Sequence, residues 1–216
     1  SVLDQNGIVG GDKSNFNRRT VKFNFSTEIL KGLTLKTTSL YTNINRKALS
    51  ENTLGSVLFN ALNMPATSGI NDLAPTTGVG IEVVNPIAQA ENSFNRFWED
   101  KYSGSYSLKY DFLDHFSAEL RFQHNYNIFQ GKVYRPVADF GDGKVFNVTL
   151  SDVNEYKTTV QEHLYDALLR YQRSFNDTHN VSVLLGASAN KIFGRNNSNL
   201  TSFGVVGDDL NSVGVQ

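Results

Sequence analysis

The sequence predicts an all-β fold, a segment of an antiparallel transmembrane β-barrel with about six long strands (three hairpins) and long extracellular loops. Three observations carry this prediction: apolar and polar residues alternate, the alternating runs are long, and short turns alternate with long loops. The candidate strands run for about 11 to 15 residues, against about 5 to 6 in globular proteins and at least about 9 to 11 in membrane-crossing strands.

The first hairpin pairs a strand from about Arg18 to Leu30 with a return strand that starts at Leu33, through a tight turn at Lys31-Gly32. The first strand sets Val21, Phe23, Phe25 and Ile29 against Lys22, Asn24, Ser26 and Glu28. The return strand alternates less cleanly, because Leu40 and Ile44 break its pattern.

The other two hairpins repeat this pattern on either side of short turns near Leu113-Asp114-His115 and through Asn176-Asp177-Thr178-His179. The apolar face of the second hairpin is Trp98, Tyr102, Tyr106, Leu108, Tyr110, Phe112, Phe116, Ala118, Leu120, Phe122, Tyr126 and Ile128, with His124 as its irregular member. The apolar face of the third is Tyr165, Ala167, Leu169, Tyr171, Val181, Val183, Leu185, Ala187 and Ala189, while Leu164 and Leu168 fall on its polar side.

Two long loops, about residues 46–97 and 129–157, connect the hairpins. Structureless connections of this length are uncommon in compact soluble domains, whereas outer-membrane barrels combine short periplasmic turns with long extracellular loops. Aromatic residues near both ends of the strands suggest two interfacial girdles. These residues are Phe112, Phe116 and Phe175 near the turns, and Tyr41, Trp98, Tyr102 and Tyr126 near the loops.

Two short helices are predicted inside the first loop. Residues 55–63 carry apolar side chains at helical spacing, and Asn85 followed by Pro86 fits a helix cap and first turn. The helices either pack within the loop or form a ledge for a partner at the mouth of the lumen.

Composition excludes several classes of site. Lys plus Arg number 20 and Asp plus Glu 21, so the formal net charge of -1 gives no reason to expect a nucleic-acid partner. Cysteine is absent, which rules out disulfides and thiolate metal ligands within this sequence. Charged residues on the polar faces are expected to hydrate a lumen or contact a plug: Lys109, Glu119, Arg121, Glu162, Asp166 and Arg170.

No catalytic, cofactor-binding or metal site is predicted, and the sequence does not identify the substrate-binding residues. The four histidines, His115, His124, His163 and His179, lack metal-binding spacing, and no nucleophile elbow is present. Asp139-Phe140-Gly141 lacks the other kinase motifs and is read as part of a turn. Gly78-Val79-Gly80 does not open a helix after a strand, which argues against a phosphate loop.

Four ordered stretches of the sequence resemble the SusC/RagA group of TonB-dependent outer-membrane transporters. They are residues 10–18 (GGDKSNFNR), 56–65 (SVLFNALNMP), 84–92 (VNPIAQAEN) and the strand-turn-strand of residues 106–122. The resemblance extends from about Asp4 to Ala189, and it depends on the order and spacing of these stretches rather than on one specific motif.

The resemblance implies a 22-stranded barrel closed by a plug, in the outer membrane of a Gram-negative, Bacteroidetes-like cell. It implies uptake of oligosaccharides (glycan uptake) or peptides with a SusD-like surface lipoprotein, energised by the TonB complex through the plug. Residues 1–216 would then be a partial barrel, because six strands cannot close a barrel. The plug domain and the signal peptide are expected to be absent from these residues. Two alternatives stay open: a soluble or surface-exposed β-sheet binding or adhesion module, and an outer-membrane barrel enzyme.

Overall fold

A computed structural model of the chain describes residues 1–8, 11–49, 54–66, 69, 80–175 and 179–205. Seven strands form one antiparallel sheet in sequence order. The strands are β1 (Val2–Asn6), β2 (Asn15–Leu30), β3 (Leu33–Lys47), β4 (Phe94–Phe112), β5 (Phe116–Arg135), β6 (Asp152–Phe175) and β7 (His179–Phe203). A 3-10 turn lies at Gly11–Lys13, and two helices, α1 (Val57–Asn63) and α2 (Pro86–Glu91), lie in the first loop.

The all-β, antiparallel fold is confirmed, and the three hairpins lie where the sequence predicts them. Two of the predicted turns show the backbone that tight reversals need, with φ of +80° at Gly32 and +49° at Leu113. The third turn, at residues 176–178, lies outside the described residues. The sheet is not closed: in the described part of the chain β1 and β7 each pair with a single neighbour.

The sheet contains one more strand than the predicted six. Strand β1 is five residues long and pairs with the first residues of β2, Val2 opposite Arg19 and Asn6 opposite Asn15. A run this short contains too few alternations to be recognised by periodicity. Its existence therefore depends on the neighbouring edge of β2.

The second loop is shorter than the predicted 129–157, because β5 continues to Arg135 and β6 begins at Asp152. The first loop spans 48–93 rather than 46–97. Near the loop end, the aromatic residues Phe129 and Tyr156 lie on the polar face of the sheet. The charged residues Lys132 and Glu155 lie there on the apolar face. This inversion of the alternating pattern explains why periodicity ends these strands too early.

One face of the sheet carries a continuous band of exposed apolar side chains, here called the apolar belt. Its members include Val21, Phe23, Phe25, Tyr41, Tyr106, Leu108, Tyr110, Leu120, Tyr165, Leu169, Val183 and Leu185. Phe23 is 57% exposed and Leu120 60% exposed, so in the described part of the chain no second layer covers them. In a soluble sandwich these side chains would converge on a core.

The buried apolar residues lie instead at the loop end of the sheet and in the loops themselves. They are Leu49, Val57, Val83, Val84, Tyr134, Phe140 and Val153. Among the described helices, none is both long and apolar enough to cross a membrane.

Candidate functional site

All six charged residues predicted to line a lumen lie on the face opposite the apolar belt, here called the polar face. Arg121 binds Glu119 through two nearly parallel hydrogen bonds, Nε to Oε1 at 2.8 Å and Nη2 to Oε2 at 3.0 Å. The hydroxyl of Ser107 also donates to Glu119 Oε1, at 2.9 Å. This carboxylate is therefore held in one orientation by three donors on two strands.

Carboxylates continue along the polar face on β6. Asp166 lies directly opposite Arg121 and accepts a hydrogen bond from the Ser188 hydroxyl at 2.6 Å. Glu162 accepts from the amides of Asn125, at 3.3 Å, and Asn190, at 2.9 Å. The polar face thus presents fixed charges of both signs, bridged by amide and hydroxyl groups.

An open cavity of about 760 Å³ lies at the short-turn end of the polar face. Its lining includes Lys109, Asp111, Ser117, Glu119, Arg170 and Gln172. Leu168, one of the two apolar residues that fall on the polar side of the third hairpin, also lines it, together with Leu184. The cavity therefore presents charges of both signs next to an apolar side.

An aromatic cluster that period-two alternation does not predict lies on the polar face near the loop end. The rings of Phe97, Phe129 and Tyr156 have centroid separations of 5.7 to 6.4 Å, and the Arg46 guanidinium lies 4.7 Å from the Phe97 centroid. Tyr156 lies against Gly131, where an added Cβ would be 2.2 Å from the tyrosine Cζ. In the sequence, the cluster is visible only as three aromatic residues at positions that continue the polar face.

The two helices of the first loop form a compact unit, here called the loop platform. The predicted cap at Asn85 is confirmed, since its Oδ1 accepts from Ile87 N at 2.9 Å. Ser56, which was not predicted as a cap, caps α1 through its Oγ, which accepts from Phe59 N at 3.3 Å. Fully buried Asn60 joins the helices, because its amide donates to Gln89 Oε1 at 2.8 Å. Its Oδ1 accepts from Val84 N at 3.2 Å.

The second loop packs onto this platform. Lys144 Nζ donates to Gly80 O at 3.1 Å, and Val145 N donates to Ile81 O at 3.2 Å. Gly55, with φ of +74°, lies so close to the Phe146 ring that no side chain fits there. The helices therefore pack within the loops, which is one of the two roles that the sequence left open. These contacts do not test the other role, a ledge for a partner at the mouth of the lumen.

The four histidines lie at three separate places in the described part of the sheet. His124 and His163 lie opposite each other on the apolar face, with ring centroids 4.8 Å apart. His115 lies in the β4–β5 turn against Tyr171, and His179 is the first residue of β7. In the described ranges, no three His, Asp or Glu side chains are placed to hold a metal ion. Asp139 accepts from Gly141 N at 2.9 Å, as expected for a turn.

The sheet is similar to parts of solved transporter structures. A structure of the RagAB peptide transporter matches with a TM-score of 0.75 and 14% identity over 94% of this chain. The RagAB peptide importer in its open-open and closed-closed states matches with TM-scores of 0.68 and 0.67, also at 14% identity over 94% of this chain. The matched region covers 23% of the length of the chain in the first structure and 26% of the length of the chain in each of the other two.

No protein-family model and no curated protein matches the sequence. At 14% identity, the likeness to the RagAB structures shows a shared fold. The sheet of this chain therefore shares its fold with about a quarter of each matched chain.

Proposed function

We propose that this chain forms part of the barrel wall and outer loops of an outer-membrane nutrient importer of the SusC/RagA type. The observation that carries the proposal is the pairing of an exposed apolar belt with a charged opposite face on one sheet of long strands. Lipid would cover the belt, and the polar face would line the lumen. A soluble sheet of this kind would leave a large apolar surface in water.

The dimensions of the belt support a membrane location. From Tyr102 to Phe112 the strand β4 advances about ten residues at about 3.4 Å each. With a strand tilt of about 40°, this length corresponds to a band about 25 Å tall, the height of the apolar band on outer-membrane barrels. Residues of both predicted girdles lie on this same face.

The whole protein would act as a gated passage. Substrate would be held between the outer loops, a plug and a SusD-like surface lipoprotein, and released inward when a TonB complex remodels the plug. The likeness to peptide importers and the charges of both signs on the polar face favour a peptide over an oligosaccharide. Neither a catalytic step nor a cofactor is part of the proposal.

Paired cysteine substitutions in the full-length protein test the assignment of the two faces. Ser107 and Leu108 are adjacent on β4 and point to opposite faces. In intact outer membranes, a water-soluble maleimide is expected to label Ser107→Cys and not Leu108→Cys, whereas a lipid-soluble maleimide labels Leu108→Cys. Equal labelling of both positions by the water-soluble reagent would contradict the proposal.

A further inference from the structure

The aromatic cluster of Phe97, Phe129 and Tyr156 presents ring planes of two orientations on the polar face. The rings of Phe97 and Phe129 are nearly parallel, with an interplanar angle of 3°, and their centroids are 6.4 Å apart. The Tyr156 ring is inclined to these two rings by 50° and 47°. All three residues are half-buried, so each is partly open to solvent in the described part of the chain. A further aromatic ring could therefore lie flat on one member and edge-on to another.

Two buried amide oxygens flank the cluster along the strands. Asn127 lies two residues from Phe129 on the same face of β5, toward the belt rows. Asn154 lies two residues from Tyr156 on the same face of β6, on the outer side of the cluster. Neither Asn127 Oδ1 nor Asn154 Oδ1 has a hydrogen-bond partner among the described residues. Because most buried acceptors in folded proteins are satisfied, two such oxygens beside one cluster indicate donors that this part of the chain does not supply.

The neighbours of Asn127 fix the orientation of its amide. Its Nδ2 donates to Glu99 Oε1 at 3.1 Å, and an exchange of the amide oxygen and nitrogen would place two acceptors against each other. Glu99 also lies 3.1 Å from Lys101 Nζ, so its carboxylate is engaged by two donors. Asn127 Oδ1 is therefore held as an acceptor, and an N–H or O–H group of a ligand would satisfy it.

The separation of the two amide oxygens favours an extended ligand. In the β5–β6 register Asn154 lies opposite Val133, so six residues of β5 separate its row from that of Asn127. At about 3.4 Å per residue, this separation is roughly 20 Å along the strand. A peptide of about six residues in extended form covers this distance and offers N–H donors along its length. Two of the three rings are phenylalanines, which offer no hydrogen bond to the hydroxyls of a saccharide.

We propose that the aromatic cluster binds an aromatic side chain of an extended peptide, whose backbone N–H groups reach the oxygens of Asn127 and Asn154. The inference rests on the proposed function, because it requires the polar face to line the lumen. It narrows the substrate class to peptides that contain an aromatic residue. Apolar rings with a few fixed polar groups beside them are the usual composition of a small-ligand site.

Binding of designed peptides by the purified full-length protein tests the ring contact. The probes are two fluorescently labelled nonapeptides of Gly and Ser that differ only at the central residue, which is Phe or Ser, and fluorescence anisotropy gives their Kd. The wild-type protein is expected to bind the Phe peptide about tenfold more tightly. Phe129→Leu is expected to lower this ratio about threefold, because it keeps an apolar side chain and removes a ring. Phe122→Leu, the same substitution on the belt face of β5, is the matched control and is expected to leave the ratio unchanged.

Asn127→Ala tests the backbone contact separately. Because both peptides have the same backbone, this substitution is expected to weaken the binding of both by a similar factor, about fivefold, and to leave the ratio between them unchanged. Wild-type affinity of Asn127→Ala for both peptides would contradict the backbone contact. The folded band of each variant on gels shows that the barrel is intact.

Three results would overturn the assignment of the aromatic cluster: equal binding of the two peptides by the wild-type protein, an unchanged ratio in Phe129→Leu, or binding of maltoheptaose, weakened by Phe129→Leu, without binding of the Phe peptide. The last would mean that the cluster takes a saccharide. Membrane fractionation separates this test from that of the proposed function. Absence of the wild-type protein from the outer-membrane fraction contradicts the proposed function, whereas its presence there without a preference for Phe contradicts the aromatic site alone.

Discussion

The ring of Tyr156 lies directly over Gly131, on the neighbouring strand, where a Cβ would come within 2.2 Å of the tyrosine Cζ. The two residues are direct partners in the β5–β6 register. The missing side chain at position 131 makes room for the ring, which in turn packs against Phe97 and Phe129. Packing of an aromatic ring over a glycine is a known way to stabilise a strand at that residue.

Gly131→Ala is therefore expected to destabilise the protein by about 1 to 3 kcal/mol, because the new methyl group displaces the ring. The measurement is the temperature at which the band of the folded full-length protein on gels is replaced by the band of the unfolded protein. In a Tyr156→Ala background the same substitution is expected to cost much less. Additive effects of the two substitutions would show that the ring and the glycine do not depend on each other.

Leu120→Lys is expected to impair membrane insertion, because a lysine at mid-belt costs about 2 to 4 kcal/mol in a lipid-facing strand. Gln123→Lys, on the polar face of the same strand, is the matched control and is expected to insert normally. Folding yield into lipid vesicles measures the difference. Equal yields from both variants would contradict the assignment of the belt to lipid.

Arg121→Gln is expected to change the charge preference of uptake. The substitution leaves the carboxylates of Glu119 and Asp166 without their shared cationic neighbour, so the local potential becomes more negative. Uptake of a cationic peptide relative to an anionic peptide of equal length should rise severalfold. Gln123→Ala, which changes no charge, is the control, and an unaltered ratio in Arg121→Gln would count against a lumenal role for this face.

Asn60→Ala is expected to loosen the loop platform by about 1 to 3 kcal/mol, because it leaves the buried Val84 N–H without its acceptor. Amide hydrogen exchange should become faster in α1, α2 and residues 83–85, and stay unchanged in the strands. Asn63→Ala, which removes an exposed hydrogen bond to Phe59 O, should have little effect. Similar exchange in both variants would show that Asn60 does not join the helices.

Period-two alternation predicted the three hairpins and both faces of the sheet, since it records which side chains share a face along a single strand. It correctly assigned His124 to the apolar face and Glu119 to the polar face. The helix cap at Asn85 was predicted from the sequence, because capping depends on side chains only a few residues away. These features are local.

The remaining features depend on residues that are distant in the sequence and adjacent in the sheet. Strand β1 needs the edge of β2, the Asn60 network joins segments 24 and 29 residues away, and the row of Lys47, Arg96 and Lys132 exists through strand register. Above the belt, the alternating pattern inverts, so periodicity ended β5 before Phe129 although pairing continues to Arg135. Alternation along the chain therefore determined the hairpins and their faces, while cross-strand register, which only the tertiary structure provides, decided which charges and rings become neighbours.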